Sequence, residues 1–369
     1  MTVELIAASS LAAWLYLFTA RGGFWRIAAP VAPSRAAVGK LVCVVIPARN
    51  EESGIARTVD SLTKQAAHII VVNDHSSDRT AEIAREHGAT VIEAGPLPAG
   101  WSGKLWAISE GLQRSALLAP DPDYLLFTDA DIVHAPDNVA ALVARAEAGQ
   151  FDLVSLMVKL RCRSLAETLL IPAFLFFFFM LYPPLWIANR RRQTAAAAGG
   201  CILIRPSALK RLGGIAAIRG EIIDDCALAR AVKRSGGRIW LAAASDTHSV
   251  RDYHTFGEIF AMISRTAFAQ LRHSALLLIM TALGMALVYL APPILLLSRN
   301  PLAVILGLAA WLLMMMAYVP ALKFYGRSIL WAPLLPAVAL FYLSATVESA
   351  LAYWAGRGGL WKERVQDTN

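Results

Sequence analysis

A chain of 369 residues that is 57% hydrophobic, with a mean hydropathy of +0.50, is too apolar for an ordinary soluble enzyme. The excess lies in the first twenty and the last hundred residues, so a membrane-attached protein is expected, with a soluble domain between about 40 and 165. The net charge of +8 is read as positive-inside bias together with attraction to anionic head groups and an anionic ligand, not as a nucleic-acid footprint. Cys43, Cys162, Cys201 and Cys226 show no CxxC spacing, which argues against structural zinc and a disulfide framework and fits a reducing compartment.

Leu5–Ala20 is apolar and is followed by Arg21, Arg26, Arg35 and Lys40. A cleavable leader carries its charge before the apolar core, so residues 1–25 are expected to be an uncleaved anchor with its C-terminal side in the cytoplasm. Leu41–Ile46 reads as a buried strand that Pro47 stops, and Ile55, Val59 and Leu62 give Glu51–Lys64 a helical spacing. His68–Val72 is a second strand; Ser77 and Asp78 cap a helix that runs to His87 and ends at Gly88. Thr90–Ile92 is a third strand, Gly103–Ser115 a helix and Tyr124–Thr128 a fourth strand, followed by a helix from Pro136 to about Glu147. A later strand is expected at Arg238–Ala243. Alternating strands and helices predict an α/β fold, a mostly parallel sheet covered on both faces, with ligands beyond the carboxyl ends of its strands.

Thr168–Ala188 is apolar enough to span a membrane, but Pro172, Pro183 and Pro184 break it, and a crossing would part Asp129 from Asp225. It is expected to lie at the membrane surface as an amphipathic or re-entrant element, with Lys159, Arg161, Arg163 and Arg190 to Arg192 among the head groups. Residues 256–274 read as an amphipathic connector, and 275–356 as a transmembrane region with spans at Ala275–Leu297, Leu302–Pro320 and Ile329–Trp354. Lys323 and Arg327 put the loop between the last two spans in the cytoplasm, which leaves the tail 357–369 outside; Arg357, Lys362 and Arg364 argue that it is inside. A re-entrant last segment, broken at Pro333 and Pro336, reconciles the two.

The polar residues gather where apolar runs end. Tyr124-Leu-Leu-Phe-Thr-Asp-Ala-Asp-Ile132 closes on Asp129 and Asp131, which alternation along an extended chain would project to one side. Paired carboxylates at that spacing suit Mg²⁺ or Mn²⁺ and a substrate diphosphate; an acidic turn is the plainer alternative. Val44 to Glu52 and Ile70 to Thr80 run likewise into acids and amides, which suggests a nucleotide pocket with Asp74 as an acceptor, Asp78 serving as a helix cap. Gly100-Trp-Ser-Gly-Lys-Leu-Trp106 opens a helix whose N-terminus and Lys104 can cradle a phosphate, although the full P-loop spacing is absent. Asp224 and Asp225 fall in the first turn of a helix, where the dipole alone favours them. Ala198–Ile204 reads as a strand entered through Gly199 and Gly200; His248 and Arg251 follow the late strand, where either can meet a metal or diphosphate, though a lone His is more often structural.

Taken in order, Ile46-Pro-Ala-Arg-Asn-Glu51, Asn73-Asp-His-Ser-Ser-Asp78, Gly103-Lys104, Asp129-Ala-Asp131 and Glu221-Ile-Ile-Asp-Asp225 resemble the family 2 inverting glycosyltransferases over roughly residues 40–250. The resemblance implies a GT-A fold for residues 40–255 and a nucleotide-sugar donor, uridine-linked by family habit. It implies Ala48, Glu51 and Asp74 around the nucleoside, Asp129 and Asp131 on the metal and diphosphate, and Lys104, Gly199, Gly200, Arg251 and Arg265 among the substrate contacts. Asp225 becomes the general base, with Asp224 as a neighbour that raises its pKa or orients it. Where the family often has Asp-Asp-Gly-Ser this chain has Asn73-Asp74-His75-Ser76, so the nucleoside contact rests on Asp74. The Gln-x-x-Arg-Trp motif of processive synthases is absent; Arg265 and Gln270 occupy a comparable region without reproducing it.

The membrane layout, Arg265 to Leu271 and Leu360 to Arg364 more narrowly resemble the hopene-associated glycosyltransferases of bacterial hopanoid loci. That implies a lipid or lipid-linked acceptor, and a multi-pass protein of the bacterial inner membrane with its catalytic domain in the cytoplasm. Protein partners stay open. The rival readings are a processive polysaccharide synthase and a catalytically silent membrane scaffold; the retained acids argue against the scaffold.

Overall fold

The computed structural model describes residues 2–27, 39–118, 121–357, 360–361 and 364–365. Arg35, Lys362 and most of the tail 357–369 lie outside the described residues. In chain order, α1 (Thr2–Thr19) is followed by β1 (Val42–Ala48), α2 (Ile55–Leu62), β2 (His68–Asn73), α3 (Thr80–Glu86), β3 (Thr90–Glu93), α4 (Gly103–Leu118), β4 (Tyr124–Phe127) and β5 (Ile132–Val133). Then come α5 (Asn138–Gly149), β6 (Leu153–Lys159), α6 (Leu165–Leu181), α7 (Pro184–Ala188), β7 (Ile202–Ile204), α8 (Pro206–Arg211), α9 (Asp224–Arg234) and β8 (Ile239–Ser249). There follow α10 (Phe256–Gln270), α11 (Ala275–Met285), α12 (Ala291–Leu295), α13 (Pro301–Phe324) and α14 (Leu335–Trp354), and last a pair of two-residue antiparallel strands, β9 (Leu360–Trp361) and β10 (Arg364–Val365).

The chain forms two compact units. One takes Met1–Ile27, Cys162–Leu185 and Tyr253–Gly359; the other takes Ala28–Arg161, Trp186–Asp252 and Leu360–Asn369. The second is the sheet unit, with strand order β3-β2-β1-β4-β7-β6-β8-β5. β3, β2, β1 and β4 are mutually parallel, as alternation of strand and helix predicts. β7 then runs antiparallel to both β4 and β6, and β5 antiparallel to β8, so the sheet is mixed. Val42, Val44, Ile46, Leu126, Val154 and Leu203 are all buried in one core beneath it. Gly111 lets α4 lie close on the other face, since a β-carbon there would come within 2.4 Å of Val45.

Pro47 does not stop β1, which runs on through Ala48. Ala48 accepts from the Asp74 amide on the β2 side, while Val45 accepts from the Thr128 amide on the β4 side. By alternation Pro47 faces β4, which has already ended at Phe127, so its missing N–H leaves no ladder bond unmade.

Among the described residues, five helices are long and apolar enough to cross a membrane, counting α7 with α6: Thr2–Thr19, Leu165–Ala188, Ala275–Leu295, Pro301–Phe324 and Ile329–Trp354. The expected amphipathic character of 168–188 is not found. Glu167 is the only charge in α6, and buried residues such as Leu170, Ile171, Ala173 and Phe176 occupy its whole circumference. Ser164 and Glu167 form a capping box, and the buried Glu167 carboxylate also accepts the Tyr253 amide at 2.9 Å. On α10, Ile259 and Ile263 are buried one turn apart while Glu258 and Arg265 are exposed. Pro333 stands in the 3₁₀ turn Ile329–Leu334 and Pro336 in the first turn of α14, so the last segment is divided between the two prolines into a short 3₁₀ turn and an α-helix.

Candidate active site

At the carboxyl ends of β1 and β2 the loops are laced together by side chains. Asn50 and His75 both adopt positive φ, at 52° each. The Asn50 side-chain Oδ1 accepts the Ser77 amide at 2.8 Å, Thr80 Oγ1 accepts the Glu51 amide at 2.8 Å, and the Asp78 carboxylate accepts the amides of Glu52 and Thr80. The N-cap of α3 is Arg79, without a side-chain cap, and not Asp78 as expected; Asp78 stands one residue earlier and ties the β1 loop to the start of α3. Asp74 is 1% exposed; Arg49 Nη1 lies 3.6 Å from its Oδ2 and donates to its backbone carbonyl at 2.7 Å. Ala48, Glu51 and Asp74 thus share one sheet edge.

The central cluster forms around Lys104, in the first turn of α4. Its Nζ is 2.9 Å from Asp129 Oδ1 and 3.3 Å from Asp224 Oδ2. Burial pulls this ammonium down, but the charges of Asp129 and Asp224 outweigh it and hold Lys104 well above the ordinary lysine range. Asp225 follows in the first turn of α9. Its Oδ2 accepts the Gly199 amide at 2.9 Å and its Oδ1 the Cys226 amide at 2.6 Å. Burial, then the charge of Asp224, lifts the Asp225 carboxyl to about 6, against the opposing pull of Lys104. Gly199 is required by closeness: a β-carbon would lie 3.0 Å from Lys104 Nζ and 3.5 Å from Asp225 Oδ2. The strand expected over Ala198–Ile204 begins only at Ile202, because the glycine pair is held by side chains and not by a ladder.

Asp129 and Asp131 do not project together. β4 ends at Phe127, so the alternation of an extended chain no longer applies two residues on. Asp129 turns to Lys104 and is 38% exposed, whereas Asp131 is 14% exposed and turns to β8. Its Oδ2 accepts Ser249 Oγ at 2.7 Å and Arg251 Nε at 3.3 Å. Arg251 reaches on through Nη2 to Glu51 Oε1 at 2.6 Å, joining the β1 loop to the acidic turn. β8 extends to Ser249, well past the expected Ala243, and this length is what brings Arg251 to the site. His248 is exposed, its ring nitrogen 2.9 Å from the Asp246 carbonyl, which fits the structural reading. Arg265 belongs to the helical unit, on α10.

The sequence reading missed His134. It is 3% exposed, with Nε2 2.9 Å from Thr128 Oγ1 and Nδ1 2.9 Å from Asn138 Nδ2. Thr128 Oγ1 donates in turn to the Gly200 carbonyl at 2.8 Å. Burial pushes the imidazole down to about 3, so it is neutral. The only signal available was a histidine three residues after the Asp-x-Asp.

Among the described residues no three His, Cys, Asp or Glu side chains converge as a cage for a metal ion. The donors present are hard carboxylate oxygens, and Mg²⁺ or Mn²⁺ is commonly held by one or two carboxylates plus substrate phosphates. Asp129 and Asp131 are donors of that kind, but they face apart and each is paired with its own cation, so only their chemistry, and not their placement, suits a shared ion. Lys104 and Arg251 supply the compensating charge on these two acids.

Residues 43–213 match the model of glycosyl transferase family 2. The chain is 41% identical over 114 residues to the 4,4'-diaponeurosporenoate glycosyltransferase of Staphylococcus haemolyticus, covering 29% of each chain. It is 36% identical over 96 residues to the protein of that name from Staphylococcus aureus strain USA300, covering 25% of this chain and 24% of the relative. The match thus spans less than a third of these relatives' length. In fold it is similar to the mannosyltransferase PcManGT of Pyrobaculum calidifontis, whose structure holds GDP-Man and Mn²⁺: TM-score 0.50 and 17% identity, covering 98% of this chain and 100% of that one.

Proposed function

We propose that this chain, which carries a family 2 glycosyltransferase domain of GT-A fold, is a membrane-bound inverting enzyme that moves a sugar from a nucleotide-sugar donor to a lipid-type acceptor. The observation that carries the reading is the meeting of a carboxyl lifted to about 6, Asp225, with the Lys104–Asp129 pair in one cleft. Asp225 is the base. As the acceptor oxygen bonds to the anomeric carbon, its proton passes to the Asp225 carboxylate, and the bond to the nucleoside diphosphate breaks with its electron pair on the phosphate. The Gly199 and Cys226 amides hold both carboxylate oxygens in place. Lys104 offers positive charge to the departing diphosphate, and Ala48, Glu51 and Asp74 line the nucleoside end. Bound at Asp129 and Asp131, Mg²⁺ or Mn²⁺ would supply Lewis-acid stabilisation of the leaving charge.

The lipid acceptor is supported by the five apolar helices and by the names of the Staphylococcus relatives, which specify a carotenoid-type acceptor for those proteins. A hopanoid is the narrower acceptor, resting on the family resemblance, and the bacterial inner membrane is the place that suits it. The test is incubation of membranes bearing the full chain with labelled UDP- or GDP-sugars and Mn²⁺, followed by lipid extraction. A labelled glycolipid that depends on the chain is expected. Membranes that leave every donor intact and every lipid unlabelled sink the reading.

The same reading places residues 165–188 within one leaflet. β6 ends at Lys159 and β7 begins at Ile202, and the two pair directly, Val154 against Leu203. A single crossing between them would have to be reversed within residues 189–201. The break between α6 and α7 at Pro183 suits a re-entrant turn instead. Leu165→Cys and Arg190→Cys should both react with an impermeant thiol reagent from the cytoplasmic side; the four native cysteines are buried. Labelling of the two positions from opposite sides would refute this.

A further inference from the structure

The polar chain behind the glycine pair takes no part in the reaction just described. An apolar side chain fills a buried space at lower cost than a polar one, yet here three polar side chains stand in series. Their direction follows from donor chemistry. The Gly200 carbonyl only accepts, so the single hydroxyl proton of Thr128 goes to it, at 2.8 Å. Thr128 oxygen must then accept from His134 Nε2, at 2.9 Å, which puts the one ring proton of a neutral imidazole on Nε2. Nδ1 is left as an acceptor, and the Asn138 amide meets it at 2.9 Å. Beyond Gly200, the Gly199 amide donates to Asp225 Oδ2 at 2.9 Å. The Gly200 carbonyl and the Gly199 N–H belong to different peptide groups of one short turn; Ser155 also holds the second group, through the Ala198 carbonyl at 3.2 Å, and the turn has little room to shift, because a β-carbon on Gly200 would stand 2.9 Å from Val158.

We infer that His134 is a positioning residue for the transfer: acting through Thr128 and the Gly199–Gly200 backbone, it fixes the amide that aims the Asp225 carboxylate. This rests on the reading of Asp225 as base. The sequence places His134 five residues beyond Asp129 and sixty-five before Gly199; topology brings them together, because β4 and β7 are neighbours and Thr128 sits where they part. A reacting group displaced by about 1 Å costs on the order of 10²-fold in rate, so a hydrogen bond two links from the carboxylate can be read in turnover.

The test uses the full-length protein. Thr128→Val keeps the side chain's shape and removes the donor. It should lower kcat by about 10–100-fold, leave the donor Kd within twofold, and speed amide exchange of residues 198–200. Thr128→Ser should restore all three. His134→Gln, which keeps an N–H near the Nε2 position, should stay within a few-fold of wild type, and Thr128→Val combined with His134→Ala should be no slower than Thr128→Val alone. A Thr128→Val enzyme with wild-type kcat, or one whose kcat and donor affinity fall together with its melting temperature, overturns the inference. If the wild type transfers no sugar, it is the functional reading that fails. Amide exchange still decides on the relay, and unchanged exchange in Thr128→Val rejects it.

Discussion

In the Asp225→Asn variant, sugar transfer is expected to fall by about 10²–10⁴-fold while donor affinity stays near the wild-type value. The amide keeps the size of the carboxyl, and its oxygen can still accept the Gly199 N–H, so the α9 turn is preserved. What disappears is the carboxylate proposed to take the acceptor's proton. Asp224→Asn should do less, since Asp224 faces Lys104 and influences Asp225 through its charge. The pH profile supplies the second readout. A base works only when ionised, and burial with the Asp224 charge lifts Asp225 to about 6. The wild-type rate should therefore climb as pH rises through that value and level off above it. Removing the Asp224 charge favours ionisation of Asp225, so in Asp224→Asn the climb should move to lower pH. In Asp225→Asn the limb should vanish. A normal transfer rate in Asp225→Asn, or a limb unmoved by loss of the Asp224 charge, would rule out this assignment.

The parts of this architecture written in the sequence are those carried by local patterns. β1 to β4 follow from short apolar runs ending in polar residues, and the first-turn position of Asp224 and Asp225 follows from the helical spacing after them. The parts that were not legible depend on distant pairing. β8 continues through Ser245, Asp246, Thr247 and His248, residues that no apolar-run criterion would place in a strand; after a register shift, its end is fixed by pairing of His248 with Lys159 and Val133 and of Ser249 with Ile132. That extension delivers Arg251 to Asp131, which is why the two acids part company. His134 was illegible for the same reason, because its partner chain ends on a carbonyl sixty-six residues away. Segment 165–188 shows the opposite limit. Its composition marks it as lipid-compatible, but only the pairing of β6 with β7 indicates that its two ends return to one sheet.

Divergent roles for Asp129 and Asp131 lead to the other large effect. Asp129→Ala is expected to reduce transfer by roughly 10³-fold or more, the scale of several kcal/mol of leaving-group stabilisation. Its side chain is 38% exposed and bonded to Lys104, which retains Asp224 as a partner, so the variant should melt close to the wild type. Calorimetry should show that Mn²⁺ no longer tightens donor binding. Asp131→Ala should lose the same coupling and, in addition, fold stability. Its carboxylate anchors Ser249 and Arg251, and through Arg251 the Glu51 loop, so removing it takes an acceptor from partly buried donors, at about 1–3 kcal/mol. Chelator should reproduce the Asp129→Ala defect in the wild type and add nothing to the variant. Full transfer in excess chelator would exclude the metal from the reaction. Equal melting losses in the two variants would mean that both acids serve the fold, and that the anionic ligand is met by Lys104 alone.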